Sequence, residues 1–197
     1  MGPLAASSGT SGKIDGCNIT VTLKIELCGP GANATAVKQD IEKYWNQGSP
    51  HAQCDASCPV WSPGCSVKFV ADVRVRAESD PPTPGYDQIK IFAPGTGTYP
   101  FSFVWVDNMT GEWCSVENPK AYAHEAGHLM GEIDAYDRDP GKDGKLNTAD
   151  DICTPWSEHE NDLMASILKC TEAPTQASID GIVYTLGIEC PCECCPE

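Results

Sequence analysis

From Asn18 to Leu27 (Asn-Ile-Thr-Val-Thr-Leu-Lys-Ile-Glu-Leu) polar and apolar residues alternate, and β-branched types are frequent. That period of two predicts a strand. Gly29-Pro30-Gly31 breaks it, and the period changes. Val37, Ile41 and Trp45 recur at four-residue spacing behind Asn33 and Thr35, either of which can cap a helix, and Gly48-Ser49-Pro50 ends the pattern. Three more strand-like runs are predicted at roughly 66–77, 87–93 and 101–107, separated by Pro81-Pro82, Pro84-Gly85 and Pro94-Gly95. A second helix is predicted from about Pro119 to Met130, with the proline in the first turn, where its missing N–H is no loss. Beyond Gly131 the chain reads as an acidic loop, a short turn at 161–166, and a final helix from about Gln176 to Leu186. No internal repeat occurs. This order, strand, helix, several strands, helix and an irregular C-terminal portion, predicts an α+β fold.

Composition narrows the class. The 197 residues are 41% hydrophobic, enough for one domain, or one domain cut by a cleft. The expected division is a tail at 1–12 and a single domain at 13–197, with subdomains at 13–131 and 132–197. No apolar run reaches the roughly 18 residues that a membrane span requires. The formal net charge is -15, from 28 acidic and 13 basic residues, which disfavours nucleic acid and anionic membrane as partners. It is compatible with divalent metal. Nothing in the chain sets an oligomeric state.

Twelve cysteines, scattered and even in number, read as a disulfide framework formed in an oxidising, secretory or extracellular compartment. The Cys190–Cys195 stretch admits a metal-binding alternative, with disulfides favoured there too. Met1–Gly12 has neither a cationic n-region nor an apolar h-region and reads as an expression scar. Secretion is therefore inferred from the cysteines.

The chemistry concentrates in Ala123-His124-Glu125-Ala126-Gly127-His128-Leu129-Met130-Gly131-Glu132-Ile133-Asp134. Residues four apart share a helix face, so His124 and His128 can aim two imidazoles at one metal. Glu125, about 100° round the axis, is placed to act on a water as catalytic base. Catalytic zinc usually takes a third protein ligand. Gly131 can adopt φ > 0, end the helix and turn the chain back, bringing Asp134 to that place.

HExxHxxGxx followed by a ligand resembles the metzincin clan of zinc metallopeptidases, and the terminal Asp resembles its snapalysin-type variant. Asn161-Asp162-Leu163-Met164-Ala165-Ser166 is similar to the clan's methionine turn, with Met164 the carried-over residue. The Tyr that often follows that Met is absent, since Ala165-Ser166-Ile167 stand there. The resemblance implies a metzincin-like fold, with a mixed twisted sheet and an active-site helix. It implies an endopeptidase in which zinc activates water and Glu125 takes its proton. It also implies a peptide or protein substrate lying extended along a sheet edge, expected within 87–93 or 101–107.

Residues 139–150 add a second expectation. Numbered as a twelve-residue calcium loop, they put Asp139 first, Asp143 fifth, Gly144 sixth, Lys145 seventh by its carbonyl, Asn147 ninth and Asp150 twelfth. The loop resembles those of dockerin modules, except that Gly141 occupies the third position. Two other functions compete: a non-catalytic secreted binding module braced by calcium and zinc, and a metal buffer centred on the cysteine tail. An intact Glu125 argues against the first, because a structural zinc site is closed by a fourth ligand and needs no base.

Overall fold

The computed structural model describes residues 5–53, 64–99, 101–115, 119–146, 152–157, 162–165 and 173–191. In chain order these form β1 (Thr10–Asp15), β2 (Asn18–Cys28), α1 (Ala34–Trp45), β3 (His51–Ala52), β4 (Cys65–Val75), β5 (Asp87–Phe92), β6 (Phe103–Trp105), β7 (Thr110–Cys114), α2 (Pro119–Leu129), β8 (Tyr136–Asp139), β9 (Ile152–Pro155) and α3 (Gln176–Thr185). The fold is mixed α+β, as the periodicities predict.

The main sheet runs β3-β4-β2-β5-β7-β6, and β1 also pairs with β2. β2 is parallel to β4, β4 and β5 lie on opposite sides of it, and β5 is parallel to β7. The sheet margins are antiparallel: β3 on β4 and β6 on β7. Because β2 is flanked on both sides, its alternating residues Ile19, Val21, Leu23, Ile25 and Leu27 all lie in the core. Its polar face is satisfied separately. Burial opposes ionisation of Glu26, but the Thr83 N–H and hydroxyl and the Arg74 guanidinium hold its pKa below the ordinary value.

Helix α1 is capped by Asn33, whose side chain accepts from the Ala36 N–H at 3.1 Å. It buries Val37, Ile41, Tyr44 and Trp45. Trp45 lies tilted against Phe69 of β4, and its indole N–H donates to the Ala123 carbonyl of α2 at 2.8 Å. That bond satisfies the polar edge of a fully buried ring and fixes α2 against α1.

The structure departs from the sequence reading in four places. Residues 7–12, expected as a tail, are packed: Ser7 and Thr10 are buried, and β1 runs antiparallel along β2 from Thr10↔Leu23 to Asp15↔Asn18. The Ser7 N–H and the Thr10 hydroxyl both donate to the Leu129 carbonyl at the end of α2. The 101–107 run is shorter and turns back as a hairpin with β7, a strand that periodicity missed. The acidic loop after residue 134 is flanked by a second hairpin, β8–β9. Finally, the cysteines are not all paired. Cys65 is bonded to Cys190, tying the start of β4 to the chain after α3, and Cys17 is also disulfide-bonded. Cys28, Cys114 and Cys153 are thiols, the first two buried. Among the described residues no helix is long and apolar enough to cross a membrane.

The N-terminal strap creates a pH-sensitive contact. Asp87, at the start of β5, accepts hydrogen bonds from the Ser7 hydroxyl and the Gly9 N–H. Burial raises its pKa from 3.8 to about 6, partly offset by those two donors. A carboxyl easier to protonate when folded makes the native state hold more protons between about pH 4 and 6. Stability should therefore fall as pH rises through that window and level off above it. About two pKa units correspond to at most about 3 kcal/mol, hence several degrees of Tm in a chain of this size. Other carboxylates cancel when wild type is compared with Asp87→Asn. Between pH 4 and 7 the wild-type Tm should drop several degrees relative to the variant, and parallel Tm curves would refute the assignment.

Candidate metal centre and cleft

Helix α2 is built for burial on nearly all sides. Ala121, Ala123, Ala126 and Leu129 are fully covered, and His124, Glu125 and His128 are only 2%, 3% and 8% exposed. Small alanines let α1 and the Met164 turn approach closely. At Gly127 a Cβ would fall 2.4 Å from Met164 Sδ and 3.0 Å from a Trp45 ring carbon, so no larger residue fits without displacing both.

The helix stops through a paired hydrogen-bond motif. The Glu132 N–H reaches the Gly127 carbonyl at 3.0 Å, and the Gly131 N–H reaches the His128 carbonyl at 3.1 Å. This requires the left-handed conformation that Gly131 adopts, at φ 102°. The reversal carries Asp134 back beside the two imidazoles.

His124 Nε2 lies 3.1 Å from Asp134 Oδ1, and His128 Nε2 lies 3.3 Å from the same oxygen. One ligand atom from each residue lies within 4.8 Å of the others. Each imidazole is oriented from behind. His124 Nδ1 meets the Leu163 carbonyl at 3.0 Å, and His128 Nδ1 meets the Glu132 carbonyl at 2.9 Å. A carbonyl only accepts, so both Nδ1 atoms carry the hydrogen and both Nε2 atoms face Asp134.

In neutral imidazoles this aims two nitrogen lone pairs at an anionic oxygen, with nothing positive between them. Without a cation, only protons can neutralise the set. Burial pulls the His128 pKa down, but its hydrogen bond to Asp134 and the charges of Asp134 and Glu125 raise it to about 9. Burial opposes the Asp134 charge as well, yet the two histidines hold its carboxyl well below the usual range. Two nitrogens and one anionic oxygen gathered in this way form a group that could hold a metal ion where these protons would sit.

The Met164 turn holds the site from below. The Asp162 carboxylate, wholly buried, accepts from the Met164 N–H at 3.0 Å, the Thr175 hydroxyl at 2.7 Å and the Ser178 hydroxyl at 3.0 Å. The Leu163 carbonyl orients His124, and the Met164 carbonyl accepts from the Ala135 N–H at 2.9 Å. Met164 thus fixes the segment that follows Asp134 and packs beneath Gly127.

A cleft of about 240 Å³ opens over His124, Glu125, His128 and Asp134, and its other walls are residues the sequence reading did not single out. Tyr136 lies along His124, ring centroids 6.3 Å apart, and its hydroxyl accepts from Arg138 Nη2 at 2.6 Å. Burial and the Asp134 charge push its phenol up, keeping it protonated. Asp134, Tyr136 and Arg138 follow one another at spacing two, the signal of one strand face. The rest of the lining comes from residues 99–105: Tyr99, Phe101, Phe103 and Trp105 at spacing two, with Ser102 and Val104 between them. Of the two expected substrate edges, 87–93 is interior, since β5 lies between β2 and β7, whereas 101–107 contains β6 at the sheet margin.

The calcium expectation is placed only in part. The loop joins two strands, not two helices. Asp139, Asp143 and Lys145 are exposed, Asp143 Oδ1 accepts from the Lys145 N–H at 2.8 Å, and Gly144 has φ 70° at the sharp-turn position. Asn147 and Asp150 lie outside the described residues.

No family model matches the chain, and no curated protein matches it. Among solved structures, one of a chaperone–substrate complex is similar over 90% of this chain at 10% identity, with a TM-score of 0.35. This chain spans 35% of that one, and a likeness of this size carries no argument about fold or function.

Proposed function

We propose that the chain is a secreted zinc-dependent endopeptidase of metzincin type, with His124, His128 and Asp134 as the metal ligands and Glu125 as the catalytic base. One observation carries the reading: two Nε2 atoms and a carboxylate oxygen converge in a cleft that also contains a buried glutamate. Zinc held there would supply Lewis acidity, acidifying water and polarising a scissile carbonyl. Glu125 accepts the proton of the attacking water and returns it to the leaving amine. The Leu163 and Glu132 carbonyls keep both imidazoles in the ligating tautomer. Tyr136, polarised by Arg138, is a hydroxyl donor at the cleft wall where the chain lacks a tyrosine after Met164. A peptide would lie along β6, whose outer edge borders the cleft. The loop at 139–150 is assigned to calcium in the same reading, as a brace on the β8–β9 hairpin.

The test is hydrolysis of a mixed peptide library. Cleavage that stops with chelator and returns with zinc supports the reading. A zinc-loaded protein that cleaves nothing would favour the non-catalytic binding module.

A further inference from the structure

The end of α2 is held by a segment far from it in the chain. The Met130 N–H reaches the Ala126 and Gly127 carbonyls, the Glu132 N–H shares the latter, and the Gly131 N–H takes that of His128. Leu129, last in the helix, is fully buried, and its carbonyl finds its donors outside the helix. They are the Ser7 N–H at 2.9 Å and the Thr10 hydroxyl at 3.0 Å.

Both donors are fixed to the sheet. Asp87, at the start of β5, accepts from the Ser7 hydroxyl and the Gly9 N–H, and the Gly9 carbonyl accepts from the Lys24 N–H of β2 at 2.9 Å. No side chain fits at Gly9, where a Cβ would fall 2.5 Å from Asp87 Oδ2 and 2.6 Å from the Lys24 carbonyl oxygen. Residues 7–10 are therefore a strap, seated on the sheet, that grips α2 by its last carbonyl.

That carbonyl stands at the start of the reversal from Met130 to Asp134. The far end of the reversal is tied by the Ala135 N–H to the Met164 carbonyl at 2.9 Å. Between the two ties the chain brings Asp134 Oδ1 to 3.1 and 3.3 Å from two Nε2 atoms. A buried carbonyl that loses its donors costs free energy, and the last turn of the helix recovers it only by shifting. Such a shift moves His128 and the start of the reversal together. We propose that Ser7, Gly9 and Thr10, anchored by Asp87, are positioning residues for the metal site, holding the last turn of α2 so that Asp134 returns to His124 and His128. This role rests on the metal-site reading and adds to it a segment that supplies no ligand.

Competition against a chelator measures zinc affinity, at a temperature where circular dichroism shows each protein folded. Thr10→Val removes the hydroxyl and keeps the shape, while Gly9→Val pushes the whole strap off Asp87 and Lys24. Both should weaken zinc by roughly 2–30-fold, the range for residues coupled to a site they do not touch, with Gly9→Val the larger. Thr10→Ser keeps the donor and should bind zinc within about twofold of wild type. Coupling is reciprocal, so saturating zinc should slow exchange of the wild-type Ser7 amide by a similar factor. A strap that only stabilised the fold would lower Tm in the variants and leave zinc affinity and the exchange response unchanged. That result, or Thr10→Ser as weak as Thr10→Val, overturns the positioning role while the metal-site reading stands. If Gly9→Val does not fold, the comparison of Thr10→Val with Thr10→Ser decides alone. A wild type that takes up no zinc overturns both.

Discussion

Glu125→Gln should keep its zinc and lose turnover, with kcat/KM falling by roughly 10²–10⁴-fold, the range for removing a positioned acid–base group. Glutamine has the shape of glutamate, so the site on α2, only 3% exposed, stays filled and no cavity confuses the result. The amide cannot take a proton from water; the substitution also removes the carboxylate charge that acts on His128, and the metal content registers that second effect. Metal content by elemental analysis and initial rates on one peptide decide the matter. A variant that holds zinc and still cleaves at near wild-type rate removes Glu125 as the base. One that loses its zinc would show that Glu125 supports the metal and not the proton transfer.

The second large effect concerns Asp134. Asp134→Ala should weaken zinc binding by about a hundredfold or more, since even groups that only orient ligands are worth about 10–100-fold. The change removes the anionic oxygen that lies 3.1 and 3.3 Å from the two Nε2 atoms. It leaves both Nδ1 bonds, and so the imidazole orientation, in place. Asp134→Asn keeps a carbonyl oxygen without the charge and should fall between wild type and alanine. Competition against a chromophoric chelator reads the affinities. Equal loading of all three proteins would take Asp134 out of the coordination set.

The convergence of His124, His128 and Asp134 was legible because helix geometry and one glycine determine it locally. Four-residue spacing places His124 over His128, and a residue without Cβ at Gly131 is what the chain reversal demands. The long elements were legible for a similar reason: β2 is flanked on both sides and α1 buries one clean stripe, so each shows a single period. The strands missed are those whose periodicity is short or masked. β7 reads Thr-Gly-Glu-Trp-Cys, with a glycine that sits too near the Phe103 carbonyl for any side chain. β1 carries little apolar surface, because it is held by backbone pairing along β2. The cleft walls were not legible, because the 101–107 run carries only a strand period and the residues after Gly131 read as an acidic loop, whereas Tyr136 and Arg138 stand on β8. Cys28 and Cys114 were counted toward disulfides, whereas the strands they occupy are separated by β5. An even count of cysteines gives a tendency to pair, and register decides which thiols can meet.

Asp162 has a consequence for how the lower half of the molecule comes apart. One carboxylate grips the Met164 N–H, the Thr175 hydroxyl that caps α3, and Ser178 in the first turn of that helix. The backing for His124 and the anchorage of the last helix therefore share a single post. Undocking α3 should release the imidazole at the same moment, so amide exchange in the two segments should follow one opening event. The orientation of His124 would then report on the seating of a helix that carries none of His124, His128 and Asp134.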